Sequence, residues 1–237
     1  MKAGENMIPE VKKAHVYMVG RILIFVMIGI IVLQVGLFLL MPPPSTAIGF
    51  YELFEKNAFL GLISLDFLYL INNTLLIMIY FAISLYVFQF KPVLALLAML
   101  VGGIGITSYY ASNPAFEFYF LSQNFSGATG VELERLITNG ELLLANYIGT
   151  AFISYYILNA IALYIFGVAF FFEKNASRSV AIMGLISAFF MSIPSSFGTV
   201  GMVFALLSLI PWVVFCLMIA HRFNLKIKQI KIEQIKI

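Results

Sequence analysis

The chain alternates long apolar runs with short polar interruptions, and the runs have the length of membrane-crossing helices. They fall at about Gly20–Met41, Phe59–Phe88, Pro92–Ala111, Leu142–Phe172, Ser179–Ser195 and Val200–Ala220. About 20 residues of α-helix, rising 1.5 Å each, cross a hydrocarbon core of roughly 30 Å, so each run predicts one span. Lipid-facing strands would instead show segments of about ten residues with alternating polarity, and the runs here are continuous. The pattern predicts an all-α polytopic membrane bundle of six transmembrane helices. It divides into a polar lead (1–17), a membrane domain (18–222) and a basic tail (223–237).

The punctuation between runs adds detail. Met41-Pro42-Pro43-Pro44 stops the first helix, because proline lacks an amide donor and restricts the residue before it. Phe50–Lys56 then reads as a short interfacial helix with an aromatic face. Gln89-Phe90-Lys91-Pro92 is a tight link that makes a hairpin of the second and third runs. The third run carries Gly102, Gly103 and Gly105, small residues that let a neighbouring helix approach closely. The longest interruption, about 112–141, predicts an outer cap: a helix over Ala115–Phe125, a turn at Ser126–Gly130, and a second helix over Val131–Thr138. Thr129 is its expected cap, and Asn139-Gly140 its expected end. The tail isoleucines at 227, 230, 232, 235 and 237 follow neither a helical stripe nor strict alternation.

Charge fixes an expected orientation. Twelve of the fourteen Lys and Arg residues flank the runs on one side, leaving Lys56 and Arg135 on the other. Cytoplasmic loops retain basic residues, so both termini are expected in the cytoplasm of a multi-pass cell-membrane protein. The first run, 22 residues long, exceeds a signal-peptide core and reads as a retained signal anchor. The composition, 62% hydrophobic and 11% charged, leaves no room for a soluble domain. The net charge of +3 is accounted for by topology, and no basic patch with interleaved aromatics points to nucleic acid. The expected partner is the lipid bilayer, with the basic tail touching anionic lipid. Cys216, the one cysteine, excludes an internal disulfide.

Length then locates candidate chemistry. The second and fourth runs hold 30 and 31 residues, longer than one crossing. Anchored at Lys91 and Lys174, their surplus lies at the outer end, where polar residues gather. Asp66, Asn72 and Asn73 belong to the second run, and Asp66, Asn73 and Tyr80 share a face at seven-residue spacing. Glu141, Asn146, Thr150 and Ser154 belong to the fourth, the last three at i, i+4, i+8. Seven of the eleven acidic residues (Glu52, Glu55, Asp66, Glu117, Glu132, Glu134 and Glu141) fall at this outer face. Polar groups in hydrocarbon are costly and turn toward one another or toward water. The expected ligand-binding residues are therefore Asp66, Asn73, Asn113, Glu117, Glu141 and Asn146, with Asn72 and Asn159 bordering the same pocket. The same Asn, Ser and Thr residues also suit interhelical hydrogen bonding.

Several chemistries lose support. His15 and His221 stand at the basic boundary, away from the acidic mouth, and no His/Cys cluster suits zinc. Gly198-Thr199-Val200-Gly201 has no following lysine for a phosphate loop. The serines of Ser192–Ser196 have no accompanying histidine base. The eleven methionines and 24 phenylalanines suit lipid-facing and packed surfaces and call for no cofactor, and whether the protein uses one stays open.

One set of strings is familiar: Ser112-Asn113-Pro114-Ala115-Phe116-Glu117, Ala128-Thr129, Glu141-Leu142-Leu143-Leu144-Ala145, Gly149-Thr150-Ala151-Phe152 with Tyr156, Ser208-Leu209-Ile210-Pro211, and Ile219-Ala220-His221-Arg222. Across about residues 65–222 the chain resembles a group of uncharacterised prokaryotic membrane proteins, domain-of-unknown-function family 4386. His221 stands where that family is typically doubly basic. The resemblance implies a six-helix membrane protein and brings no reaction with it. Three functions stay open: binding or transport of a small solute, cation or amphiphile at the acidic, amide-rich mouth; a non-catalytic membrane partner or assembly role; and carboxylate-dependent chemistry on a lipid.

Overall fold

A computed structural model of the chain describes residues 10–173 and 178–235. Among them it has ten helices: α1 (Glu10–Leu40), α2 (Ala47–Lys56), α3 (Ala58–Ser64), α4 (Phe67–Val87), α5 (Pro92–Ser112), α6 (Ala115–Ser122), α7 (Val131–Tyr147), α8 (Thr150–Phe170), α9 (Ser179–Met191) and α10 (Gly198–Ile235). Five stretches, Lys12–Leu40, Phe67–Val87, Pro92–Ser122, Val131–Phe170 and Gly198–Glu233, are long and apolar enough to cross a membrane. The sixth apolar helix, α9, has 13 residues, a length of roughly 20 Å.

Six helices pack in chain order as a closed ring. α1 lies on α4, α4 on α5, α5 on α8, α8 on α9, α9 on α10, and α10 returns to α1. The seam between α5 and α8 depends on two of the three glycines. A methyl on Gly102 would stand 2.5 Å from the Tyr80 ring and 3.2 Å from Ala162 Cβ, and one on Gly105 would stand 2.6 Å from Asn159 Nδ2. Gly103 points at open space, so only Gly102 and Gly105 serve the close approach the sequence led one to expect of all three.

The remaining helices, α2, α3, α6 and α7, cover one end of the ring and share their own apolar core of Phe50, Tyr51, Phe54, Leu65, Phe118 and Leu136. Tyr51 holds it together. Its ring lies 5.3 Å from that of Phe118 and 5.0 Å from that of Phe125, and its hydroxyl donates to Leu136 O at 2.8 Å. Burial pushes that phenol up to about 12, so it remains a donor at neutral pH. The cap therefore draws on residues 47–65 as well as the stretch after Ser112.

The structure corrects several expected boundaries. The second run is two helices, broken at Leu65-Asp66, and the fourth is α7 and α8, broken at Ile148-Gly149. The second break interrupts the Asn146, Thr150, Ser154 stripe. Asn139-Gly140 ends nothing: α7 continues through it, because Gly140 is a packing glycine whose missing methyl leaves room for Ala47 Cβ and the Tyr51 hydroxyl. Gly130, at φ 57°, takes the N-cap place expected of Thr129. The last helix runs into the tail as one element with Pro211 inside it. The tail's buried stripe starts one turn before the isoleucines: Phe223 and Ile230 are buried, with Ile227 packed against the same core. Lys2, Lys174 and Lys236 lie outside the described residues.

Candidate functional site

The α3–α4 junction turns on one unusual residue. Asp66 is the only non-glycine with positive φ among the described residues, at φ 59° and ψ 29°. Aspartate tolerates this left-handed conformation better than most side chains, at a cost of about 1–2 kcal/mol. It occupies the N-cap of α4 yet makes no side-chain cap bond, although aspartate is among the residues that cap best. Its carboxylate is turned to other partners. Oδ1 accepts from Gln34 Nε2 of α1 at 3.1 Å, and Oδ2 accepts a short hydrogen bond from the Tyr147 hydroxyl at the end of α7. One carboxyl thus joins ring and cap.

Asp66 as a residue is half-buried, with its carboxyl turned inward. It stands ahead of the apolar helix Phe67–Val87. Burial pushes the carboxyl up from 3.8 to about 6, opposed by the hydrogen bonds from Tyr147 and Gln34 and by the nearby Tyr109 hydroxyl, which favour the anion. Tyr69 and Tyr156 also lie within electrostatic reach of it. Tyr109 packs 5.8 Å from Tyr69 and 4.9 Å from Tyr155, ring to ring. Four tyrosines from α4, α5, α7 and α8 therefore cluster about a single acid, with Tyr155 packed behind Tyr109.

The cluster borders a cavity of about 130 Å³ inside the ring, with walls from α1, α4, α8, α9 and α10. Tyr69 and Tyr156 line it as well as facing Asp66. The other aromatic walls are Tyr80, Tyr155 and Trp212. Its polar walls offer oxygens. Asn72 Oδ1 is buried without a hydrogen-bond partner, and an unpaired buried acceptor costs about 1–3 kcal/mol. The nearby hydroxyls already donate: Ser187 Oγ to Ser208 O at 3.2 Å, Ser208 Oγ to Ala205 O at 2.6 Å, and Tyr156 to Ser195 Oγ at 3.0 Å. What they leave over is acceptor capacity. A volume of this size holds a few non-hydrogen atoms, well below the roughly 300–1,000 Å³ of drug-sized sites.

The expected site residues separate into three groups. Asp66 and Asn113 come together at the α3–α4 junction, where Asn113 Nδ2 donates to Leu65 O at 2.7 Å and Asn113 Oδ1 accepts from Ala115 N at 3.1 Å. Asn113 thereby repairs the backbone at the break. Asn73 is buried in the ring beside Tyr155. Asn159 is buried too, its Nδ2 donating to Tyr155 O at 2.9 Å. Glu117, Glu141 and Asn146 are exposed on the cap. Asp66 therefore gathers tyrosines and Gln34 around it rather than the other predicted acids. Among the described residues no three His, Cys, Asp or Glu side chains gather to hold a metal ion.

None of Gln34, Tyr69, Tyr109, Tyr147, Tyr155, Tyr156 and Trp212 was among the expected ligand-binding residues. Gln34 had a signal. It is the one strongly polar side chain between Arg21 and Met41, and it is 3% exposed. The tyrosines had none, since spacing does not separate a packing ring from a hydroxyl aimed at an acid. No protein-family model, curated protein or solved structure matches the chain.

Proposed function

We propose that this is an integral membrane protein of six spans, with both termini cytoplasmic, that binds a small cationic solute of the ammonium type between Asp66 and the ring cavity and passes it across the membrane. Five helices of spanning length, a sixth apolar helix closing the ring and the one-sided basic residues support the topology. The resemblance to domain-of-unknown-function family 4386 accords with it. α9 is short for a full span, and the turn after it completes the crossing at the cap end.

The observation that carries the ligand class is the lining of the cavity: aromatic faces, the unpaired Asn72 oxygen, and one carboxylate beyond Tyr69 and Tyr156. Aromatic faces attract cations through the ring quadrupole, by about 2 kcal/mol or more when desolvated. The unpaired Asn72 oxygen takes an N–H donor or a cation and repels an anion. The volume disfavours an amphiphile held whole inside the ring. Acid–base work by a carboxylate pair needs a second acid, and the groups governing Asp66 are Tyr147, Tyr109 and Gln34.

The test is a thermal-shift panel on the purified protein with sodium, potassium, methylammonium and, as a control of opposite charge, acetate. Methylammonium is expected to stabilise the wild type and to lose that effect in Asp66→Asn and in Asn72→Leu. Equal shifts in wild type and both variants, or none with any cation, would overturn the reading.

A further inference from the structure

A second and larger cavity lies at the opposite end of the ring and shares no residue with the first. It measures about 760 Å³ and sits where the end of α4, the Phe88–Lys91 turn, the residues after α8 and the extension of α10 meet. Its charged walls are Lys91, Arg222, Lys226 and Glu173, three cations against one carboxylate. That carboxylate is already engaged: Glu173 Oε1 accepts a short hydrogen bond from the Tyr86 hydroxyl, and Oε2 lies 3.8 Å from Arg222 Nε.

The two lysines have no carboxylate partner among the described residues. Lys91 Nζ stands 3.7 Å from the centre of the Phe172 ring, and Lys226 Nζ donates only to the neutral Gln229 Oε1, at 3.3 Å. Both are part-buried, so their charges converge on the cavity from two elements far apart in sequence. Phe172 and Leu225, both exposed, form apolar edges to the same opening. Clustered ammonium and guanidinium donors facing a cavity match the oxygens of a phosphate group. Basic pockets between helices at the cytoplasmic face are where anionic headgroups bind.

We infer that this cavity holds a phosphate-bearing anion, either a phospholipid headgroup or a soluble phosphate, gripped by Lys91, Arg222 and Lys226. The apolar edges accommodate the start of an acyl chain in the first case. The ring site at Asp66 takes no part, so failure of either proposal leaves the other standing.

Delipidated full-length protein in an uncharged detergent is titrated with phosphatidylglycerol, with phosphatidylcholine and with inorganic phosphate, and binding is read by native mass spectrometry and thermal shift. The wild type should prefer phosphatidylglycerol to phosphatidylcholine. Lys91→Gln/Lys226→Gln should bind phosphatidylglycerol about 30-fold more weakly, about five-fold per charge. Lys228→Gln/Lys231→Gln, which removes two exposed tail charges outside the cavity, should bind as the wild type does. Inorganic phosphate binding that disappears in the first double variant would identify a soluble anion as the occupant, and its absence identifies the headgroup. Lys226→Gln alone, with about a five-fold loss expected, serves if the double variant fails to fold. Equal binding in wild type and cavity variants, or an equal loss in the tail variant, would overturn the inference.

Discussion

Tyr147 donates its hydroxyl to Asp66 across 81 residues of sequence, tying the end of a cap helix to the break between α3 and α4. The same carboxylate accepts from Gln34 of α1. A single acid is therefore the joint between cap and ring.

Removing the donor should loosen that joint. Tyr147→Phe keeps the ring packed 6.2 Å from Phe152 and deletes one charge-assisted bond, which predicts a loss of about 1.5–3 kcal/mol. Thermal melts should fall accordingly, and amide exchange should quicken at the C-terminal end of α7 while the ring helices stay protected.

The backbone at Asp66 separates two substitutions that remove the same charge. Asparagine tolerates positive φ and alanine does not, so Asp66→Ala should be less stable than Asp66→Asn by about 1 kcal/mol. A smaller melting temperature for the asparagine variant would contradict the role given to the left-handed turn.

The raised carboxyl also sets a pH dependence. Between the ordinary value of 3.8 and about 6 the folded protein holds a proton on Asp66 that the unfolded chain has released. Stability should therefore fall as pH rises through that window and level off above it. Asp66→Asn removes this component, so the difference in melting temperature between wild type and variant should change between pH 4 and pH 6 and stay flat from pH 7 to 8.

The glycines of α5 offer a comparison within one helix. Gly105→Ala forces a methyl to within 2.6 Å of Asn159 Nδ2 and 3.0 Å of Leu158 Cβ, at a cost of about 1–3 kcal/mol. Gly103→Ala meets nothing within 4 Å and should be neutral or slightly stabilising, since alanine favours the helix. Paired melts of the two variants check this directly.

These contrasts show where the sequence was readable. The apolar run Pro92–Ala111 marks α5 (Pro92–Ser112) well, because burial in hydrocarbon or in a ring demands the same composition. The breaks were not readable in the same way. Asp66 stops a helix without proline or glycine, through a backbone angle and a tertiary hydrogen bond from Asn113. Gly140 resembles a helix end and is instead a contact with Ala47 and Tyr51. Asp66 stood out in the sequence because an acid beside apolar helices is costly. Its real neighbours, Tyr109, Tyr147 and Gln34, come from three other helices, and only the ring closure brings them together.

The central claim is that Asp66, as a carboxylate, helps hold a small cation, and calorimetric titration of methylammonium at pH 7 and pH 5 tests it most directly. With the carboxyl titrating at about 6, its ionised fraction falls about ten-fold over that interval. The wild type should bind about ten-fold more weakly at pH 5, and Asp66→Asn should bind weakly and equally at both. Wild-type affinity that ignores pH, or an asparagine variant that binds as tightly as the wild type, would contradict the account.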